Sequence, residues 1–412
     1  MTVPGSAAAS RSTTGGFAAV ALCCLAMACE GFDLQAPGVT VRALAASFAL
    51  TPSEQGLFLS ASTFGMMIGA LVGGRLSDRL GRKWVLIGAV AAFSSLSILT
   101  ALSTSVEMLL AARFATGIGI GGALPNLITM ASESVGPGRR STAVGFVLAG
   151  PPIGGALVSL VAALAPQTEQ WPIIYYAGGI VPLLIVVPLL AIFLPNPPIV
   201  PPTATGETTK LPDTLTTLFG EKRAARTLGL WLAFLTVLLV LFVLLTWLPS
   251  LMVDRGLSRS QASLVQMVFN LCAIPGNILV GLFLDRTTRP GRAIFLIFIA
   301  GGAAVAFLAG GPATAGMMLL GGALAGITVT GAQTVVYTLA PRCYPMAGRG
   351  TGVGFGVAVG RFGSAGGPIV IGFLVAAGQS PAQVLLTTLP IIAVAGLATL
   401  FVAKDMNRTI VR

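Results

Sequence analysis

Apolar runs of about twenty residues recur along the whole chain and leave few folds open to it. A run of that length crosses the ~30 Å hydrocarbon core of a bilayer at about 1.5 Å per helical residue. A segment in hydrocarbon must satisfy its own backbone hydrogen bonds, so each run is predicted to be a helix. Charged residues make up only 9% of the chain, against roughly 25% in soluble domains. We therefore predict an all-α membrane protein embedded in a lipid bilayer.

Twelve runs are predicted to span the membrane. They cover residues 15–41, 52–76, 84–103, 106–132, 141–165, 171–194, 227–251, 258–284, 292–309, 313–339, 348–376 and 381–403. The first run is expected to be a retained helix and not a cleaved signal peptide. Five prolines within eight residues open a linker after the sixth run. The predicted organisation is a tail 1–14, a bundle 15–194, a linker 195–226, a second bundle 227–403 and a tail 404–412.

Basic residues collect in loops on one side of the predicted spans. With a cytoplasmic amino terminus, only Arg42, Arg255 and Arg259 of the 24 lysines and arginines face outward, while Arg113 and Arg361 lie within spans. The positive-inside rule then predicts that both termini of this inner-membrane protein are cytoplasmic. This asymmetry accounts for the net charge of +11, and no nucleic-acid partner is expected.

The two halves of the chain resemble each other. The segment 74–79, Gly-Arg-Leu-Ser-Asp-Arg, returns about 207 positions later as 281–286, Gly-Leu-Phe-Leu-Asp-Arg. Pro137 and Arg140 return at a similar offset as Pro345 and Arg349. Such repetition indicates internal duplication. Two pseudo-symmetric six-helix bundles with a site between them at the membrane midplane is an architecture that secondary transporters use.

Four charged residues are predicted to lie at mid-bilayer depth. Glu30 and Asp33 are three residues apart on the first helix, and Arg113 and Arg361 lie within the fourth and eleventh spans. Charges in hydrocarbon are costly, so they indicate a functional site, although a static cluster that specifies helix packing is the alternative. An arginine can hold an anion permanently, whereas a buried carboxylate can take up and release a proton. Together they can couple an organic acid to protons.

The sequence lacks the sets of residues that metal binding, a disulfide framework or catalysis would require. The chain has no histidine, and four of its five cysteines lie in apolar runs. Metal binding, a cofactor and a disulfide framework are therefore not expected. No nucleophile is paired with a base, which argues against an integral enzyme. The longest loop is too short for the soluble signalling domain of a membrane sensor.

The loop 74–83, Gly-Arg-Leu-Ser-Asp-Arg-Leu-Gly-Arg-Lys, resembles the signature loop of the major facilitator superfamily at every defining position. The segment 113–119 resembles the fourth-helix motif of that superfamily, whose arginine is tied to proton coupling. The resemblance implies the major facilitator fold. It also implies a cytoplasmic gate formed by Asp78, Arg79, Arg82, Arg349, Asp285 and Arg286.

Within the superfamily, Glu30-Gly31-Phe32-Asp33 resembles the Asp-Gly-x-Asp motif of the aromatic acid:proton symporters, with Glu in place of the first Asp. With Ala123-Leu124-Pro125-Asn126, it is most similar to the members that carry hydroxyphenylpropionate. The resemblance implies a monomeric symporter that imports a small aromatic carboxylate with protons. Protons would use Asp33, Glu30 and Arg113. Substrate would use Arg361, Arg113, Gln333, Tyr337, Asn126, Phe32, Phe64, Gln266 and Asn270.

One motif favours an alternative. The segment 150–155, Gly-Pro-Pro-Ile-Gly-Gly, resembles the fifth-helix motif of drug:proton antiporters, which export hydrophobic compounds. Small residues and a proline at a helix contact would account for the same segment. The two buried arginines count against export of cationic compounds.

Overall fold

The computed structural model describes residues 13–135, 143, 146–164, 170–194, 214–220, 223–286, 290–344 and 349–410. Among these residues, 11 helices are long and apolar enough to cross a membrane. Helix α2 (Pro52–Leu80) is not one of the 11, but its 29 residues pack lengthwise on the fourth helix. It completes the predicted twelve, and the expected all-helical membrane fold is confirmed.

The helices form two sets of six. The first set contains α1 (Thr13–Phe48), α2, α3 (Arg82–Ala101), α4 (Val106–Glu133), α5 (Gly150–Leu164) and α6 (Trp171–Phe193). The second set contains α7 (Ala224–Asp254), α8 (Arg259–Arg286), α9 (Pro290–Gly310), α10 (Ala315–Leu339), α11 (Arg349–Ala376) and α12 (Pro381–Leu386, continued by Thr388–Ile410). A short helix, Thr214–Phe219, lies within the predicted linker.

Several helices extend beyond the predicted spans. Helix α1 continues from the predicted end at 41 to Phe48, and α7 begins at Ala224 inside the predicted linker. A charged residue such as Arg42 marks the edge of the hydrocarbon but does not end a helix, because the backbone stays hydrogen-bonded beyond it. Helix α6 has one π-helical turn, Pro182–Val186, where a proline interrupts the α-helical pattern.

Helices α2 and α12 begin with the same kind of N-terminal cap. The Thr51 hydroxyl accepts from the Glu54 backbone N–H and the Glu54 carboxylate accepts from the Thr51 N–H, which is a capping box. Ser380 and Gln383 form the same reciprocal pair at the start of α12. A proline follows each cap at the first helical position, where a backbone N–H would have no acceptor within the helix. These short signals fix where α2 and α12 re-enter the membrane.

Packing repeats between the two bundles. In the first bundle α1 packs on α5, α2 on α4 and α3 on α6. In the second, α7 packs on α11, α8 on α10 and α9 on α12. The bundles meet through α2 against α11 and α5 against α8. Each pair maps onto its counterpart when six is added to the helix number, as the internal duplication of the sequence predicts.

Glycines bring α2 and α4 into backbone contact. A Cβ at Gly65 would lie 2.0 Å from the Phe114 carbonyl oxygen, and a Cβ at Gly117 would lie 2.0 Å from the Ser62 carbonyl oxygen. No other residue fits at either position without moving a helix. At this contact the Ser62 hydroxyl donates to the Arg113 carbonyl at 3.0 Å. The close approach therefore fixes the part of α4 that carries Arg113.

Candidate functional site

Asp33 of α1 and Arg113 of α4 form an ion pair inside the first bundle. Arg113 Nη1 donates to Asp33 Oδ2 at 2.8 Å and Nη2 donates to the Asp33 carbonyl at 3.0 Å. Both side chains are fully buried. Asp33 Oδ1 and Arg113 Nε remain without hydrogen-bond partners. The opposite charges of the pair thus offset each other, and one oxygen of the carboxylate stays unpartnered.

Tyr175 of α6 supports this ion pair from the side, and sequence reasoning missed it. The Arg113 guanidinium carbon lies 5.6 Å from the centre of the Tyr175 ring, in cation–π range. The Tyr175 hydroxyl and the Thr40 hydroxyl are 2.8 Å apart, and Thr40 lies on α1 two turns beyond Asp33. Tyr175 therefore connects α1, α4 and α6 around the Arg113 side chain. No local pattern in the sequence marks it.

Glu30 has a different environment from Asp33. Its side chain is buried, and Oε2 has no hydrogen-bond partner. The opposite charge that acts on Glu30 is Arg361 of α11, in the second bundle. An ionised carboxylate buried without a hydrogen-bond partner needs either a proton or a nearby cation. Arg361 supplies the opposite charge without forming an ion pair with Glu30, whose Oε2 stays unpartnered among the described residues.

Arg361 of α11 has a different environment from Arg113. Its side chain is half-buried, and it forms no ion pair within the described part of the chain. Tyr337 and Gln333 of α10 are one helical turn apart, and Arg361 acts on the Tyr337 hydroxyl through its charge. The Gln333 side chain forms a hydrogen bond with the Tyr337 hydroxyl. The Tyr337 ring packs edge-on against Phe234 of α7, with ring centres 5.1 Å apart. Tyr337, with Phe234 packed against it, thus forms an aromatic wall beside Arg361.

Three buried amides join the two bundles. Gln35 of α1 and Asn270 of α8 bond reciprocally at 3.1 Å and 2.8 Å. Gln266 Nε2 donates to Gln35 Oε1 at 3.3 Å. The sequence marked Gln266 and Asn270 as candidates but gave no sign that Gln35 would join them.

The remaining predicted substrate residues make other contacts within the first bundle. Asn126 is buried and donates to the Gly122 carbonyl of its own helix at 3.0 Å. The Phe32 ring packs against Gly178 of α6. Phe64 lines an apolar groove of about 480 Å³ between α2 and α4, together with Phe114. These positions favour packing for Phe32 and Phe64, and their part in binding stays a prediction.

The predicted cytoplasmic gate is described only at Arg82. Arg82 begins α3 and is half-buried. The side chains of Asp78, Arg79, Asp285, Arg286 and Arg349 lie outside the described residues, so their role stays a prediction.

The outer halves of the two bundles are joined. Arg42 of α1 pairs with Asp254 of α7. The Ser60 hydroxyl of α2 donates to the Ala365 carbonyl of α11 at 2.7 Å, and the Ser260 hydroxyl of α8 donates to the Ala163 carbonyl of α5 at 2.8 Å. With the orientation predicted from the basic loops, these contacts close the site on its outer side.

Packing accounts for the motif that suggested an antiporter. A Cβ at Gly154 would lie 1.9 Å from the Ala28 carbonyl oxygen, and one at Gly155 would lie 2.1 Å from the Gln35 amide nitrogen. The glycines of 150–155 therefore let α5 lie against α1 and leave room for Gln35. The motif needs no export function to explain it.

Comparison with known proteins identifies the family. The family model described as Major Facilitator Superfamily matches residues 23–368 and 250–410. The chain belongs to the Major Facilitator Superfamily. It is 40% identical over 390 residues to the 3-(3-hydroxy-phenyl)propionate transporter of Escherichia coli, covering 94% of each chain. It is 33% identical over 397 residues to the 4-hydroxybenzoate transporter PcaK of Pseudomonas aeruginosa, covering 89% of this chain and 88% of that one.

Solved structures agree on the fold. A bacterial homolog to the human lysosomal transporter Spinster, in an inward-facing and unoccupied conformation, superposes with a TM-score of 0.76 at 17% identity. The match covers 96% of this chain and 98% of that one. The expected major facilitator fold and the resemblance to aromatic acid transporters are both confirmed. The relatives are transporters and not enzymes, as the missing catalytic set predicts.

Proposed function

We propose that this protein imports an aromatic carboxylate together with protons, by exposing a site between its two bundles alternately to each side of the inner membrane. The observation that carries the proposal is the contrast between the two arginines. Arg113 is already paired with Asp33, whereas Arg361 has no ion-pair partner among the described residues. A permanently charged, unpaired guanidinium beside an aromatic wall suits an aromatic acid.

The substrate class follows from the relatives. Two proteins that are 40% and 33% identical to this chain are named for 3-(3-hydroxy-phenyl)propionate and 4-hydroxybenzoate. Each of those acids has a carboxylate for Arg361 and a ring that Tyr337 can contact. The substrate is therefore an acid of the hydroxyphenylpropionate or hydroxybenzoate type. Gln333 and Asn126 remain candidate hydrogen-bonding groups for it.

Glu30 and Arg361 provide the coupling between substrate and proton. Without substrate, the Glu30 carboxylate offsets the charge of Arg361. When a substrate carboxylate binds Arg361, Glu30 loses that offset and takes a proton. A carrier with only one of the two bound keeps an uncompensated charge at low dielectric, which opposes the movement between states. Asp33, whose Oδ1 is unpartnered, is the second proton-accepting group.

The proposal also covers the orientation of the chain, its inner gate and its oligomeric state. Both termini are cytoplasmic, and Asp78 and Arg349 belong to the inner gate that closes when the outer contacts open. One chain contains both halves of the site, so we expect a functional monomer.

Uptake by the purified protein in liposomes tests the proposal. With an inward proton gradient, labelled 3-hydroxyphenylpropionate or 4-hydroxybenzoate should accumulate above its external concentration, and a protonophore should abolish the accumulation. Arg361→Lys keeps the positive charge and should retain part of the binding, whereas Arg361→Ala should lose it. Undiminished accumulation with a protonophore would refute the proton coupling. Unchanged uptake by Arg361→Ala would refute the substrate site.

A further inference from the structure

Gln35, Gln266 and Asn270, here called the amide cluster, form a polar contact in an otherwise apolar part of the bundle interface. All three side chains are buried, and three side-chain hydrogen bonds link Gln35 of α1 to α8. Asn270 Nδ2 also donates to the Gln266 carbonyl at 3.0 Å. A helix pair that needed only to seal the interface could do so with apolar side chains, so the cluster calls for a polar function.

One acceptor of the amide cluster is unused. Gln266 Oε1 is buried and has no hydrogen-bond partner, although Gln266 Nε2 is bonded to Gln35. A buried acceptor without a partner is destabilising by roughly 1–3 kcal/mol. No donor among the described residues satisfies it. A small O–H donor that enters between α1 and α8 would complete the cluster.

The amide cluster lies outward of the charged groups. Gln35 follows Glu30 by five residues on α1, which is about 7.5 Å along the helix axis. Gln35 bonds to Asn270 of α8, while Arg361 lies on α11, so the two proposed binding groups are carried by different C-terminal helices. A phenyl ring with a short side chain can extend over such a distance. An acid held by Arg361 at its carboxylate can thus present the far side of its ring to the amide cluster.

The Gln35 amide packs directly against the backbone of α5. Gly155 of α5 has no side chain at the point where a Cβ would lie 2.1 Å from Gln35 Nε2. The contact to α8 crosses between bundles, and so do the outer contacts from Arg42 to Asp254 and from Ser260 to Ala163. Opening of the outer side must separate these pairs. The amides are then released from one another and can bind a different partner.

We propose that the amide cluster recognises the ring hydroxyl of the substrate, with Gln266 Oε1 accepting the hydroxyl hydrogen. This inference rests on the proposed function, because it needs an aromatic acid held at Arg361. When the site is open to the outside, a ring hydroxyl replaces part of the hydrogen bonding that the separated amides lose. When the outer side closes, the amides pair again across the bundles as the structure shows. An acid without the hydroxyl leaves the separated amides unsatisfied.

Two acids that differ by a single hydroxyl provide the test. Uptake of 3-hydroxyphenylpropionate and of 3-phenylpropionate is measured in liposomes for the unchanged protein and for Gln266→Met, which keeps the length of the side chain but removes the amide. The unchanged protein should prefer the hydroxylated acid. In Gln266→Met, kcat/KM for that acid should fall about tenfold or more, while kcat/KM for 3-phenylpropionate changes less than about twofold. Asn270→Leu should shift the ratio in the same direction.

Asn277→Leu is the matched control. Asn277 lies on the same helix, and its Oδ1 accepts from Thr334 of α10 at 2.9 Å, inside one bundle. Its loss should lower uptake of both acids by the same factor. If Gln266→Met lowered kcat/KM equally for both acids, the ratio between them would be unchanged. The cluster would then only join the helices, and the proposal would be overturned. If the unchanged protein accumulated neither acid, the proposed function itself would fail, which is a distinct result.

Discussion

At the scale of single residues, Glu30 and Asp33 share a helix but differ in what surrounds them. Asp33 holds Arg113 at 2.8 Å, while Glu30 Oε2 has no partner and is acted on by Arg361. Breaking a buried ion pair leaves a lone charge, which is destabilising by about 3–5 kcal/mol. Loss of the Asp33 carboxylate is therefore expected to destabilise the site and to impair transport. Loss of the Glu30 carboxylate is expected to affect the proposed proton coupling alone.

Replacing each acid by its amide should separate these roles. We expect Glu30→Gln to retain exchange of labelled for unlabelled aromatic acid but to lose accumulation driven by a proton gradient, because the permanent amide cannot release a proton. Asp33→Asn should lose accumulation and also lower the melting temperature of the purified protein, because Arg113 loses its counter-charge. Exchange, accumulation and thermal unfolding in detergent measure the three effects. Normal proton-driven accumulation by Glu30→Gln would contradict the assignment.

Tyr175 offers a second test at this scale. The ring lies 5.6 Å from the Arg113 guanidinium and the hydroxyl bonds to Thr40. Tyr175→Phe keeps the ring and loses one hydrogen bond, which is worth about 1 kcal/mol. Tyr175→Leu also removes the cation–π contact, which adds roughly 1–2 kcal/mol at a desolvated site. We expect a small loss of uptake in the first variant and a large one in the second.

The control for Tyr175 is Thr40→Val, which removes the same hydrogen bond from the other side. It should match Tyr175→Phe in both uptake and thermal stability. If Tyr175→Phe were as inactive as Tyr175→Leu while Thr40→Val were normal, the hydroxyl would have a role other than its bond to Thr40.

The residues that sequence reasoning found and missed differ in a physical way. Glu30, Asp33, Arg113 and Arg361 could be predicted because charge in an apolar run is costly wherever the helix is placed. Which of the two acids pairs with Arg113 depends on how α1 is rotated against α4 and α11. Spacing along one helix does not contain that rotation. Tyr175 was missed for the same reason, since a tyrosine in an apolar run carries no penalty that marks it.

At the scale of helices, the contact between α2 and α4 is the part of the fold that positions Arg113. Glycines recur at four-residue spacing on both helices, and the structure brings the two backbones together at Gly65 and Gly117. Which helix each glycine would face could not be predicted, because four-residue spacing defines a face without naming its partner. The helix ends were predictable within several residues. The exceptions are α1 and α12, which end at Phe48 and Ile410, beyond their predicted ends at 41 and 403.

Gly117→Ala should disturb this contact. The added methyl would lie 2.0 Å from the Ser62 carbonyl oxygen, and backbone cannot give way as a side chain does. Overpacking of this kind is destabilising by about 1–3 kcal/mol. We expect a lower melting temperature and weaker uptake, because α4 carries Arg113 away from Asp33. Gly88→Ala in α3 is the control, since a Cβ there meets no atom within 4 Å. Equal stability of the two variants would argue against the close contact.

At the scale of the whole molecule, the outer contacts join two bundles that the proposed transport cycle would separate to admit substrate. The bond from Ser260 of α8 to the Ala163 carbonyl of α5 and that from Ser60 of α2 to the Ala365 carbonyl of α11 lie at the two interfaces where the bundles meet. Individually such contacts are weak, which permits opening. Because these contacts are distributed over both interfaces, we expect the proposed opening to move whole bundles and not a single helix.

Linking the two bundles on the outer side should therefore arrest transport. In a background without the native cysteines, Ala163→Cys and Ser260→Cys place two thiols next to each other across the interface of α5 and α8. A short, reducible thiol cross-linker should abolish uptake, and reduction should restore it, because the linked protein cannot open outward. Thiols at Asn277 and Thr334 are the control, since these residues bond at 2.9 Å inside one bundle that moves as a unit. Their cross-link should leave uptake intact. Continued uptake with the interface linked would show that the site opens to the outside without separation of α5 from α8.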